Sequence, residues 1–106
     1  MTSDALLVYC TCPDDDTASE LAEMLVSKQL AACVNIVTGI QSVYAWQGKV
    51  QLDDEALLII KTTTAAYDEL QSLLRDQHPY ELPEIVAVTI TTGLPDYLEW
   101  INQSVR

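Results

Sequence analysis

An α+β chain of element order β-α-β-β-α-β with a closing helix is predicted by three observations. Two stretches repeat apolar residues at helical spacing, and they alternate with short runs rich in strand formers. The two central strand candidates are unusually long and are separated by Gln47-Gly48, a two-residue turn signal. The chain has 106 residues, of which 49% are hydrophobic, which suits one domain over residues 1–106 with one core.

Each element follows from its residues. Ala5-Leu6-Leu7-Val8-Tyr9-Cys10-Thr11-Cys12 reads as a strand stopped by Pro13. Asp14-Asp15-Asp16-Thr17 places acids at the positive end of a helix, and Ala18, Leu21, Ala22, Leu25 and Val26 form its buried stripe. Leu30-Ala31-Ala32-Cys33 is expected to close that helix. A strand from Val34 to about Trp46, the turn, and a strand over roughly 49–62 make a hairpin. The second strand alternates at first, and then Ala56-Leu57-Leu58-Ile59-Ile60 is apolar throughout, as in a strand covered on both faces. Thr62-Thr63-Thr64 offers helix caps. Ala66, Tyr67, Leu70, Leu73 and Leu74 give the second stripe. Ile85 to Thr91 is the fourth strand, and Pro95 opens a short helix carrying Tyr97, Leu98, Trp100 and Ile101. Two βαβ halves joined by a hairpin make the ferredoxin-like split-βαβ fold, with both main helices on one face of an antiparallel sheet. The middle strands far exceed the usual length of about 5–6 residues, so the hairpin is expected to project and to pair with another copy of the chain.

Charge narrows the function. Sixteen Asp and Glu stand against five Lys and Arg, a net of −11, which excludes duplex nucleic acid as a partner. High hydrophobicity excludes disorder, and so apolar a small domain is expected to hide part of its surface in a subunit interface. No apolar run approaches the roughly 20 residues that span a bilayer. Met1-Thr2-Ser3-Asp4 has no basic region, so the expected location is cytoplasmic. Three cysteines cannot close a disulfide framework. Cys10 and Cys12, at about 6.5–7 Å on one strand face, sit at the limit for a bridge, so reduced thiols are expected.

Five blocks carry a resemblance: Leu30-Ala31-Ala32-Cys33-Val34-Asn35-Ile36, Ser42-Val43-Tyr44-Ala45-Trp46-Gln47-Gly48-Lys49, Lys61-Thr62, His78-Pro79-Tyr80-Glu81-Leu82-Pro83-Glu84-Ile85, and Tyr97-Leu98-Glu99-Trp100-Ile101. In this order, over Ala5 to Val105, they resemble the CutA family, the divalent-cation tolerance proteins. The resemblance implies a ferredoxin-like subunit in a tight homotrimer, built by swapping long hairpins and similar in architecture to the PII signalling proteins. It also implies a link to copper and other divalent metals. The family's copper ligands, a first-strand cysteine and histidines before Pro-Tyr, carry over to Cys10 and His78. The chain departs from the pattern at Gln77, where some members have a second histidine.

The residues themselves leave two constellations. Cys10, Cys12 and the single histidine, His78, are soft or borderline ligands suited to copper or zinc, although a thiol in an apolar strand equally reads as core. Cys12 is the weaker candidate, able to join only if it faces the same way. Tyr44, Trp46, Glu55, Lys61, Tyr80, Glu84 and Trp100 could line a cleft between subunits, or pack as an interface. The acid runs at 14–16 and 53–55 lack a calcium-loop pattern and read as a helix start and a solvated strand edge. An acylphosphatase-like enzyme would need a cationic loop where this chain has Cys12-Pro13-Asp14-Asp15-Asp16, and an exposed-aromatic RNA reader would need a basic surface. No enzyme is expected. Two functions remain: a trimeric copper-binding protein of divalent-cation tolerance, or a PII-like sensor or scaffold that binds a small molecule or protein in an intersubunit cleft.

Overall fold

The computed structural model describes residues 4–106. Its elements are β1 (Ala5–Cys12), α1 (Asp15–Ser27), β2 (Cys33–Trp46), β3 (Lys49–Thr63), α2 (Tyr67–Gln77), β4 (Val86–Thr89) and α3 (Pro95–Ser104). The sheet has the order β2-β3-β1-β4, and every pairing is antiparallel. This is the order expected of a split βαβ unit.

Alternation along β1 and β3 sends Val8, Cys10, Cys12, Ala56, Leu58 and Ile60 to one face, all at 0% exposure. They pack there against the stripes of α1 and α2, including Leu21, Leu25, Leu70 and Leu74. The acid run at 14–16 is a helix start: the Asp14 carboxylate accepts from the Thr17 N–H at 2.7 Å, and Asp15 and Asp16 occupy the first turn. That bond holds the Asp14 carboxyl below its usual range.

The first helix is shorter than its sequence indicates. It ends at Ser27, and Gln29 turns the chain at φ 59° while the Leu30 and Ala31 N–H groups both donate to the Leu25 carbonyl. A left-handed residue at this point usually announces itself as glycine, and here it is glutamine. The threonine run also does more than cap. Thr63 Oγ1 accepts from the Ala66 N–H, Thr64 Oγ1 donates to the Asp4 carbonyl, and Thr62 Oγ1 donates to the Leu30 carbonyl at 2.6 Å inside the core. Thr62→Val keeps the shape and leaves the buried Leu30 carbonyl without this donor. The expected loss is about 1–3 kcal/mol in a denaturant titration; an unchanged midpoint would show that the carbonyl finds another donor.

Gln47 (φ 51°) and Gly48 (φ 78°) both take left-handed conformations, as a type I′ hairpin turn demands. Gly39 is not at an element end. It lies within β2 at φ 72°, where the register shifts between Val37 and Ile40, so that Thr38 and Gly39 oppose Ala56. Ala56 is also where β1 stops pairing, with Cys12. Beyond this bulge the hairpin leaves the sheet as a two-stranded arm, and the molecule extends 45 × 25 × 23 Å. Val43 opposes Leu52 and Ala45 opposes Val50, giving the arm one apolar face; Val43, Leu52 and Val50 are 68%, 62% and 79% exposed.

The sheet face away from α1 and α2 is only half-covered. Leu57 and Ile59 are half-buried, where cover on both faces was expected, and Val86 and Val88 of β4, opposite Tyr9 and Leu7, are exposed. Lys61 and its strand partner Cys33 lie on this face by alternation; burial and the nearby Cys33 raise the pKa of Tyr97, and α3 packs on β3 and β1 at that end. The regular part of β4 is also shorter than the 85–91 run, and Ile90 continues the ladder with one bond to the Ala5 carbonyl.

Candidate metal centre and adjoining cleft

Two strand residues and one helix-terminal residue converge at the far end of β1. Cys10 and Cys12 point into the core at 0% exposure, and His78, directly after α2, is buried at 7%. Their donor atoms lie within 4.8 Å of one another, and all three cysteines are free. Donors bonded to one tetrahedral metal at 2.0–2.3 Å stand about 3.3–3.8 Å apart, so a modest contraction would bring this set onto an ion. The Cys10 thiol donates to the Thr11 carbonyl at 3.8 Å. The neighbouring Cys12 sulfur, then burial and the negative charge of Glu84 and Glu55, push the Cys10 pKa upward. The contact with Cys10 lowers the pKa of Cys12, which makes Cys12 the readier thiolate of the two.

His78 is held on both sides of its ring. Nε2 lies 2.8 Å from the Thr11 carbonyl, and Nδ1 is 3.1 Å from the Tyr80 N–H. A carbonyl accepts and an amide N–H donates, so these partners assign the proton to Nε2 and a lone pair to Nδ1. Nδ1 is then the nitrogen with an electron pair to give, and donation from Nε2–H to Thr11 is the support a ligating imidazole needs. The cost is the bond from the Tyr80 N–H. Donor type, burial and tautomer fit a soft or borderline ion.

Next to this cluster lies a cleft of about 720 Å³ between the arm and the loop after α2. It gathers Tyr44, Trp46, Glu55, Tyr80 and Glu84 of the expected constellation. The other two residues lie elsewhere. Lys61 is on the same strand as Glu55 but about 20 Å further along it, bonded to Asn35 and 3.9 Å from the Cys33 sulfur. Trp100 sits on α3 against Tyr97, with ring centres 5.5 Å apart. Side chains on one strand face share a direction but not a place, and spacing alone did not separate them. The expected constellation left out Thr11, which holds His78 through its carbonyl and lines the cleft, and Glu81, also in the lining; Asp53, read as a solvated strand edge, accepts from the Tyr44 hydroxyl.

Tyr80 joins the two places. Its ring lies 4.8 Å from the His78 ring, its N–H holds Nδ1, and its hydroxyl donates to Glu55 at 2.6 Å. Burial and then the Glu55 bond push the Tyr80 hydroxyl pKa upward. The sequence model of the family described as CutA1 divalent ion tolerance protein matches residues 6–104. The chain belongs to the CutA1 family. It is 47% identical over 105 residues to a chloroplastic CutA of Arabidopsis thaliana, a match that takes in 99% of this chain and 58% of that protein. With the divalent-cation tolerance protein CutA of Thermus thermophilus it shares 46% over 98 residues, 92% of this chain and 95% of the relative. The crystal structure of CutA from Xylella fastidiosa superposes with a TM-score of 0.96 at 42% identity, covering 98% of this chain and 100% of that one. The chain thus spans little more than half of the Arabidopsis relative and nearly all of the bacterial ones. Membership of CutA1 accounts for the ferredoxin-like sheet.

Proposed function

We propose that this CutA1 chain is the subunit of a cytoplasmic, non-enzymatic homotrimer that binds copper, or zinc in its place, through Cys10, Cys12 and His78. The observation that carries the metal reading is the convergence of these three buried donors from β1 and the end of α2. Two sulfurs and an imidazole select soft and borderline ions over magnesium or calcium. Free thiols fit a reducing compartment. A catalytic role for the thiols is disfavoured because both are fully buried, Cys10 with a raised pKa. The metal is cargo here, and its capture would lower the free ion concentration, as tolerance requires.

Self-association is supported by three apolar surfaces: the face of the arm, the half-covered sheet face, and the Tyr97–Trp100 side of α3. The resemblance to the CutA family implies three copies. Metal selectivity is tested by thermal unfolding under reducing conditions with each ion in turn. Copper and zinc are expected to stabilise the chain, by about 2.7 kcal/mol when the free ion is at 100 times its Kd. Magnesium and calcium are expected to leave the midpoint unchanged. Equal stabilisation by all four would instead indicate general attraction to the acidic surface.

A further inference from the structure

The electron pair that His78 would give to a metal is already engaged. A neutral imidazole has one lone pair in its ring plane. Here the Tyr80 N–H takes it at Nδ1, 3.1 Å away, while Nε2–H donates to the Thr11 carbonyl at 2.8 Å. A metal bonds only through that lone pair. If it takes Nδ1, the Tyr80 N–H loses its acceptor. If it takes Nε2, the ring proton moves to Nδ1, and two N–H groups then face each other. On either route His78 cannot hold a metal and the Tyr80 amide at once.

Tyr80 is fixed in this position from its other end. Its hydroxyl donates to the Glu55 carboxylate at 2.6 Å, and its ring lies 4.8 Å from the His78 ring. A hydrogen bond to a charged acceptor is among the stronger ones. Glu55 opposes Ile40, the first pair of the ladder beyond the bulge, so the bond ties the loop after α2 to the root of the arm. All of these contacts are made within one subunit.

We propose that Tyr80 is a positioning residue that sets the metal affinity of the cluster: its bond to Glu55 keeps its N–H on His78, and metal capture requires that N–H to let go. This rests on the metal reading of Cys10, Cys12 and His78 given above. Two arrangements follow. With Tyr80 latched between His78 and Glu55 the imidazole is closed to metal, and with Tyr80 released it is open. Apparent affinity is the intrinsic affinity reduced by the fraction of chains that are open. The coupling is reciprocal, so metal loading loosens the Tyr80–Glu55 contact at the root of the arm, and whatever strengthens that contact disfavours metal.

Tyr80→Phe tests this, because it removes the hydroxyl and keeps the ring, the backbone N–H and every charge. Copper is titrated under reducing conditions against a competing chelator, with the chain in the assembly it forms in solution. Tyr80→Phe is expected to bind copper about tenfold more tightly at unchanged stoichiometry. Tyr44→Phe frees Asp53 in the same way without touching a metal donor, and it is expected to leave the affinity unchanged. Amide hydrogen exchange gives the second readout. Without metal, the residue 80 amide is expected to exchange faster in Tyr80→Phe than in the unsubstituted chain. Copper loading is expected to accelerate the same amide in the unsubstituted chain, whereas a ligand that only rigidified its site would slow it. Equal copper affinity with and without the Tyr80 hydroxyl, an equal gain in Tyr44→Phe, or a slowed residue 80 amide on loading would overturn the proposal and leave the metal site standing. A chain that takes up no copper would overturn both, and the stoichiometry tells the two failures apart.

Discussion

Cys10→Ala abolishes copper binding, from about one ion per subunit to none at equal metal concentration, while the fold survives. The sulfur lies in an apolar core between sheet and helices, so alanine leaves a small dry gap rather than an unpaired polar group. Cys12→Ala behaves in the same way, because both thiols lie on the same strand face and belong to one donor cluster. His78→Ala also loses copper, but it differs in a second readout. It removes the partners of the Thr11 carbonyl and the Tyr80 N–H together, so the loop after α2 loosens and hydrogen exchange at Tyr80 accelerates. Undiminished copper stoichiometry in both cysteine variants, measured by dialysis under reducing conditions, would remove the thiol cluster from the account.

A double substitution on the arm, Val50→Asp with Leu52→Asp, converts the assembly to single subunits of 11.7 kDa. Within one subunit neither side chain packs against anything that charge would disturb, since Val50 and Leu52 are 79% and 62% exposed. Far-ultraviolet dichroism is therefore expected to keep its native shape. In the trimer the same positions would be covered by a neighbour, and burying an unpaired carboxylate costs several kcal/mol at each site. A two-stranded ribbon on its own is marginal in water, so the regularity of this arm is itself a reason to expect a partner. Light scattering that still gives three subunits after the double substitution would show that the arm is not part of the interface.

Much of this was legible in the chain because it depends on local pattern. The stripes Leu21-Leu25 and Leu70-Leu74, the Gln47-Gly48 turn and the long strands around it follow from periodicity and turn chemistry, and all recur in the structure. The convergence of Cys10 with Cys12 follows from strand alternation. That of His78 does not, for 67 positions separate it from the Thr11 carbonyl that fixes its ring; only the resemblance placed it there. Three features were not read from the sequence. Gln29 takes a left-handed conformation without being glycine. The bulge at Thr38-Gly39 lies inside an otherwise regular strand pattern. The separation of Lys61 and Trp100 from the cleft depends on distance along β3 and on where α3 docks, and neither is a property of nearest neighbours.

The proposed assembly is a trimer, each subunit of which would hold a soft metal at Cys10, Cys12 and His78. Native mass spectrometry of the chain loaded with copper under reducing conditions tests both parts in one spectrum. The predicted species has three subunits of 11.7 kDa and three copper ions, and all three ions are lost in Cys10→Ala while the trimer persists. A metal-free trimer in excess copper, or a copper-bearing species unaffected by Cys10→Ala, would contradict the metal site, and a metal-bearing monomer would contradict the assembly.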